Sequence, residues 1–264
     1  MMVRPVIEKV GIGAVQAIEE AGYQFSLFVE SLYWLIVGPF LQQPVRLRII
    51  VSEMMKIGVL AIPIVVLLSF SNGVILALQG IATLKDFDAE SQVIPGIAYS
   101  VTREFGVLIA GIVVAGRSGS AIAARIGSMQ MSQEVDALRV MGIEPVRFLV
   151  APILVSMLIM MPILTLFADT AAMIGGGLYS GIVLSLSLTT VLDRSFDVLV
   201  LYDVLQGIYK SLVFGLLIAL VACSNGFSVT GGAEGLGRAT TRSVVMSIAM
   251  IVVADMVFTY FLTR

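Results

Sequence analysis

The 264-residue chain contains no histidine and one cysteine, Cys223. Without an imidazole there is no Ser-His-Asp or Cys-His nucleophilic site and no histidine metal ligand. A lone cysteine makes neither a disulfide framework nor a CxxC metal site. None of the four lysines, Lys9, Lys56, Lys85 and Lys210, follows a glycine. The phosphate-binding pattern GxxxxGK[ST] is therefore absent, and nucleotide hydrolysis by that route is excluded. No catalytic residue and no metal site is read from the chain. Charge is scarce as well: 13% of residues, against the ~25% usual in soluble domains. The net charge of −2 gives no case for nucleic acid as a partner.

What the chain does have is apolar length. Hydrophobic residues make up 58% and the mean hydropathy is +1.02, the composition of an integral membrane protein. A bilayer core takes ~20 mostly apolar residues per helix. Five segments qualify: 57–84, 91–116, 148–175, 201–223 and 243–263. The second carries Arg103 and Glu104 in its middle but is otherwise apolar. The expected fold is all-α: five transmembrane helices, preceded by N-terminal interfacial helices over 5–45, with a cytoplasmic coupling helix over 128–142. Tyr23–Leu41 is aromatic-rich, with Tyr23, Phe25, Phe28, Tyr33, Trp34 and Phe40, and Pro39 and Pro44 limit its uncharged run. Such density suits the headgroup region. Two readings stand for this segment: interfacial helices or a shallow re-entrant hairpin, or else a sixth span. No secretory signal is expected in this stretch, because Glu8, Glu19 and Glu20 precede the apolar run.

Basic residues orient the chain. Arg4, Lys9, Arg46, Arg48, Lys56, Arg117, Arg125, Arg139, Arg147, Arg238 and Arg242 fall on one side. Lys85, Arg103, Arg194 and Arg264 fall on the other. The richer side is expected to be cytoplasmic, with the C-terminus outside.

The loop between the second and third spans holds a short helix with clear punctuation. Ser132 is the expected N-cap, Glu134 and Asp136 suit the first turn, Gly142 the left-handed C-cap, and Pro145 the stop. Met131, Val135, Leu138 and Met141 recur at helical spacing, with Gln133, Glu134, Asp136 and Arg139 on other faces. Such a helix either rests on the cytoplasmic leaflet or docks into a partner. For docking, Glu134, Asp136, Leu138, Arg139, Met141 and Gly142 are the candidates.

These strings carry a resemblance. AGRSGSAIAARIGSMQ (115–130), EVDALRVMGIEPVRFLVAP (134–152), MPILTLFAD (161–169), NGFSVTGGAEGLGRATTRSVV (225–245) and ALQG (77–80) occur in the order of the MlaE/YrbE permease family, which the chain resembles over most of its length from residue 57. Members are the membrane subunits of ABC transporters that work with MCE-domain proteins. The resemblance implies one permease domain over 1–264 and a homodimer. It implies a cytoplasmic ABC ATPase that supplies ATP and Mg chemistry, with no cofactor on this chain. It also implies a periplasmic MCE-domain protein, a STAS-domain subunit in Gram-negative members, and phospholipid cargo moved between the inner and outer membranes. The chain departs from the family twice. Arg125 stands where a carboxylate is usual, which bears on a salt bridge near the coupling loop. Glu104-Phe105-Gly106-Val107 stands where ELGP is usual, which removes a proline and its kink.

A charge within a membrane needs a reason. Asp169, Asp203 and Asp255 fall near expected span ends, where headgroup contact suffices. Glu104 and Lys210 lie deeper. They either pair between the second and fourth spans or line a polar pocket that meets a lipid headgroup, and the family motifs RE and YKSLVFG favour the latter. In the first span, Ser69, Ser71, Asn72, Gly73, Gln79 and Gly80 are polar or small. They serve either helix packing or a lipid headgroup, with Leu76, Leu84 and Phe87 as tail contacts. The lipid-pathway candidates are thus Glu104, Lys210, Asn72, Leu76, Gln79, Leu84 and Phe87. Small-residue pairs such as Gly111/Ala115 and Gly207/Ser211 are read as packing. Pro63, Pro152 and Pro162 are expected kinks. Ser224–Arg242 is read as a glycine-rich cytoplasmic loop supporting the coupling loop. Two other functions compete: a stand-alone secondary transporter, against which no internal repeat is found, and a membrane anchor or scaffold that transports nothing.

Overall fold

The computed structural model describes residues 3–40 and 45–262. Residues 41–44, with Pro44, and 263–264, with Arg264, lie outside the described residues. Residues 41–44 belong to the 5–45 segment, and 263 is the last residue of the fifth expected span. Among the described residues the regular structure is helical, with no strand.

Helix α1 runs unbroken over Val3–Val37. It is one helix, and the hairpin expectation is therefore incorrect. Gln24, Leu27 and Ser31 are buried along one stripe at helical spacing. Phe25, Tyr33 and Ile36 point outward. Glu20 pairs with Arg242, and the Arg147 guanidinium lies 5.2 Å from the Trp34 ring centre, so α1 is tied to the bundle at two places.

Helices α2 (Leu47–Ile57) and α3 (Ile62–Lys85) form one rod, interrupted by a tight turn over Val59–Ala61. Gly58 opens that break, and Met160 occupies the space a side chain would need. Pro63 sits in the first turn of α3, where its missing N–H leaves no bond unmade. The next rod, Glu90–Met131, contains α4 (Val93–Ser100), α5 (Gly106–Val114) and α6 (Ser120–Met131). Wide π-helical turns at Val101–Phe105 and Ala115–Gly119 join them. At ~1.5 Å per residue its 42 residues reach roughly 60 Å, twice a hydrocarbon core. The expected second span, 91–116, is therefore only part of a helix that projects well beyond the membrane.

Helix α7 (Glu134–Val140) follows at once, then α8 (Ala151–Val183), α9 (Leu188–Val198), α10 (Leu201–Phe227) and α11 (Gly232–Leu262). Pro152 lies in the first turn of α8, while Pro162 is accommodated inside it. Among the described residues, five rods are long and apolar enough to cross a membrane: Leu47–Lys85, Glu90–Met131, Val146–Val183, Leu201–Phe227 and Gly232–Phe261. The chain is an all-α, multi-pass membrane protein.

Helix α8 is the central element, packed against α2, α3, α5 and α10. Its partners come close because small residues face backbone. A Cβ on Gly73 would lie 1.9 Å from the Ala172 carbonyl oxygen, and one on Gly175 would lie 2.3 Å from that of Phe70. In lipid, where apolar burial does not drive helices together, such backbone proximity supplies the packing energy. The larger core gathers Val107, Val114, Met157, Met161, Leu164, Phe214, Ile218 and Ile251 between α5, α8, α10 and α11.

The expected loop over 224–242 is mostly helix. Only Ser228–Gly231 separate α10 from α11, with Gly231 at φ +84° and Gly232 at φ +73°, conformations that suit glycine. Glycine clustering signalled this turn, but its density also masked the start of α11.

Candidate functional site

A charged cluster sits among α5, α10 and α11, toward the end of the bundle where α10 begins and α11 ends. Lys210 on α10 is fully buried, as an ammonium at membrane depth can be only with partners. Its Nζ lies 2.7 Å from Glu104 Oε2 and 3.0 Å from Asp255 Oδ1. It also donates to the Arg103 carbonyl at 3.2 Å and to Thr259 Oγ1 at 3.0 Å. Thr259 in turn donates to Glu104 Oε1 at 3.0 Å. The Glu104 side chain is 29% exposed and that of Asp255 13%, so Glu104 is the member that opens to the surface.

Backbone geometry makes this possible. Arg103 and Glu104 fall in the π-helical turn before α5, and the Arg103 carbonyl there accepts from Lys210. The neighbouring Arg103 side chain turns to Asp203, at 2.7 Å from Nε and 2.6 Å from a terminal nitrogen, and lies 4.5 Å from the Tyr99 ring centre. Asp203 is buried and accepts the Val200 N–H at 3.0 Å, closing the first turn of α10.

The expected pair between the second and fourth spans is thus present, but it is not a pair alone. Asp255 and Thr259 of the fifth span complete it. Asp255 therefore does not serve as a span-end headgroup contact, and nor does Asp169 or Asp203. Asp169 is buried in α8, and its Oδ1 lies where a Cβ on Gly106 would be, at 1.7 Å. Gly106 is part of the segment lacking the family's usual proline, and the helix is locally widened there without one.

A cavity of about 340 Å³ lies between α3 and α4. Leu76, Gln79, Gly80 and Leu84 line one wall, and Val93, Ile97 and Ser100 another. Ser100 is four residues from Glu104 on the same rod. Leu76, Gln79 and Leu84 are thus brought together. Phe87, 75% exposed in the turn after α3, and half-buried Asn72 lie outside the lining.

At the other end of the bundle α7 is a short, well-stopped helix. Gly142 has φ +73°, its N–H reaches the Arg139 carbonyl at 3.0 Å, and the Ile143 N–H reaches that of Leu138 at 2.9 Å. These two bonds form a Schellman C-cap. The N-terminal expectation was wrong: Ser132 ends α6, bonding the Ser128 carbonyl at 3.0 Å and Glu134 at 2.8 Å, and left-handed Gln133 precedes α7. The coupling segment 128–142 is therefore two helices with a sharp turn. Val135 and Leu138 are buried with Leu149 and anchor α7 to the bundle. Leu138 thus faces inward and is not a partner contact. Glu134, Asp136, Arg139 and Met141 are exposed, as is Val140 at 88%, which helical periodicity from Met131 missed. Asp136 and Arg139 pair at 3.4 Å. The α10–α11 turn and the start of α11 support α6 just before this point, since Val229 and Leu236 fill the space beside Gly127. Near α7 the Glu30 carboxyl is held above its ordinary range, first by burial and then by the negative charge of Glu144.

Arg125 resolves the first departure from the family pattern. Both of its terminal nitrogens lie 2.7 Å from the two oxygens of Glu53 on α2, a bidentate pair that ties α2 to α6. Glu53 is 6% exposed, so removing it leaves Arg125 without its buried acceptor. Glu53→Ala is expected to lower stability in detergent by about 1–3 kcal/mol, measured as a shift in the unfolding midpoint. An unchanged midpoint would show that the pair adds nothing.

Comparison with known proteins agrees with this architecture. The family described as Permease MlaE matches residues 50–261. A probable ABC transporter permease protein of Rickettsia typhi is 35% identical over 231 residues, 88% of this chain and 89% of that protein. The intermembrane phospholipid transport system permease protein MlaE of Haemophilus influenzae is 32% identical, over 80% of this chain and 81% of its own. The chloroplast protein TRIGALACTOSYLDIACYLGLYCEROL 1 of Arabidopsis thaliana is 40% identical over 62% of this chain and 47% of its own length. With five membrane-crossing helices and a family match that runs from α2 nearly to the end of α11, the chain belongs to the MlaE permease family and is a transporter permease subunit.

Proposed function

We propose that this chain is the non-catalytic membrane subunit of an ATP-driven transporter that moves phospholipid between the inner and outer membranes of a Gram-negative cell. It works as a homodimer in the inner membrane, with its N-terminus and α7 cytoplasmic and its C-terminus periplasmic. A cytoplasmic ABC ATPase binds ATP and Mg, a periplasmic MCE-domain protein exchanges the lipid, and a STAS-domain subunit accompanies the ATPase. The phospholipid named for the Haemophilus relative supports the cargo, and the basic residues at the α7 end support the orientation.

One observation carries the reading. Helix α7 is anchored from below by Val135 and Leu138, yet presents Val140 and Met141 to solvent beside Glu134, Asp136 and Arg139. A rigidly held knob with an apolar tip and charged flanks suits force transfer from a docked protein. Leu76, Gln79 and Leu84, with Glu104 and Lys210 beyond Ser100, then form the lipid path at the opposite end.

The test is a reconstituted complex in vesicles. Val140→Asp/Met141→Asp is expected to cut both ATPase binding and ATP-dependent phospholipid transfer at least about tenfold, as loss of an interface anchor does, with the permease's own melting temperature unchanged. Full transfer by this variant would overturn the coupling role of α7. ATPase binding by the wild type with no transfer under any condition would identify a scaffold instead.

A further inference from the structure

Two adjoining clefts, of about 370 and 420 Å³, open between α2 and α6 at the end of the bundle opposite the charged cluster. Both are lined by Glu53, Lys56 and Arg125; one adds Arg48 and Phe148, the other Arg117 and Leu60. Four cations therefore face one carboxylate. That carboxylate is already committed to Arg125 through two bonds of 2.7 Å. Lys56 keeps only a longer contact of 3.5 Å to Glu53, and its side chain is 58% exposed. Arg48 is exposed and has no ion pair among the described residues. Arg117 donates to the Lys56 carbonyl at 3.2 Å, which holds its guanidinium against the opposite wall. The balance of the site is positive, and an anion would complete it.

Depth and surroundings say which anion. The cations stop at the break near Gly58, and no charged residue follows until Lys85. They therefore stand at headgroup level, where basic side chains attract anionic lipid. Directly beyond them, Leu60 of the Val59–Ala61 turn and Ile64 and Leu67 of α3 are 60%, 43% and 64% exposed. A free phosphate would use the cations alone, whereas a phospholipid would use both the cations and the apolar stripe. We infer that these clefts bind the phosphate of an anionic phospholipid, with an acyl chain laid along Leu60, Ile64 and Leu67. This site is separate from the Glu104–Lys210–Asp255 cluster and does not rest on the transport reading.

The experiment is native mass spectrometry of the full chain in detergent, titrated with phosphatidylglycerol and, separately, phosphatidylcholine. Phosphatidylglycerol is expected to be retained preferentially. Arg48→Gln/Lys56→Gln, which alters two exposed side chains, is expected to lower that retention roughly tenfold and leave phosphatidylcholine unaffected. Arg117→Gln, acting from the other wall, gives an independent loss and decides the matter should the first variant fold poorly. Equal phosphatidylglycerol retention by the wild type and the folded variants overturns the site. Millimolar inorganic phosphate is expected to leave the adducts in place. Their full displacement by phosphate would reveal a free-anion site and overturn the lipid assignment.

Discussion

Lys210→Met is expected to abolish phospholipid transfer in the reconstituted transporter and to destabilise the chain by about 3–5 kcal/mol, the cost of removing one partner from a buried ion pair. The reason lies in the geometry of its neighbours. Glu104 and Asp255 approach the same ammonium at 2.7 and 3.0 Å from different helices. Without it, two carboxylates confront each other at membrane depth with no cation between them. A denaturant titration in mixed micelles measures the stability loss. Adding Glu104→Gln and Asp255→Asn removes the stranded charges and is expected to recover most of the stability. Transfer is expected to stay lost, because Glu104 is the partly exposed member and lies four residues from Ser100, which lines the Leu76–Ser100 cavity. Transfer at the wild-type rate by Lys210→Met would exclude the cluster from the transport path. Transfer restored in the triple variant would reduce it to a structural clasp.

The second large effect is expected at Gly73. Gly73→Leu places a side chain against the Ala172 carbonyl, whose oxygen already lies 1.9 Å from the position of a Cβ. Backbone cannot swing aside as a side chain can. Helices α3 and α8 must separate along their contact, where a Cβ on Gly175 would lie 2.3 Å from the Phe70 carbonyl oxygen. A loss of about 3 kcal/mol is expected, at the upper end of ordinary overpacking, read as a lower melting temperature. Gly116→Ala is the control, because nothing lies within 4 Å of its Cβ position. Its effect is expected to stay within about 0.5 kcal/mol. Equal behaviour of the two variants would show that the α3–α8 approach does not set stability.

Much of the fold was legible because lipid simplifies the problem. Backbone groups in hydrocarbon must bond within their own helix, so apolar length translates directly into spans. Helix ends were less legible. The polar start of α11 and the projecting end of α6 lie beyond the hydrocarbon, and apolar length carries no signal there. The long α1 was obscured for a related reason: its buried stripe of Gln24, Leu27 and Ser31 is partly polar.

The candidate site divides the same way. That Glu104 and Lys210 need partners at depth follows from desolvation alone. That Asp255 and Thr259 are among those partners depends on which face of α11 meets α10, and no local pattern encodes it. Around α7, Gly142 was readable as a left-handed stop because φ +73° suits glycine. Spacing put Val135 and Leu138 on one apolar face with Met131 and Met141, but did not show that only the first two are buried. Val135 and Leu138 are buried only because Leu149 and Phe227 lie beneath them, and Val140 is exposed for want of such a neighbour.

Sequence by itself determined the solvent, the helical class, the five spans and the family, since each depends on composition or on contiguous strings. Tertiary structure alone decided the three-helix charged cluster, the Arg125–Glu53 tie and the exposed tip of α7. Each of these joins residues far apart in the chain, whose meeting is set by how rods of similar apolar surface choose their contacting faces.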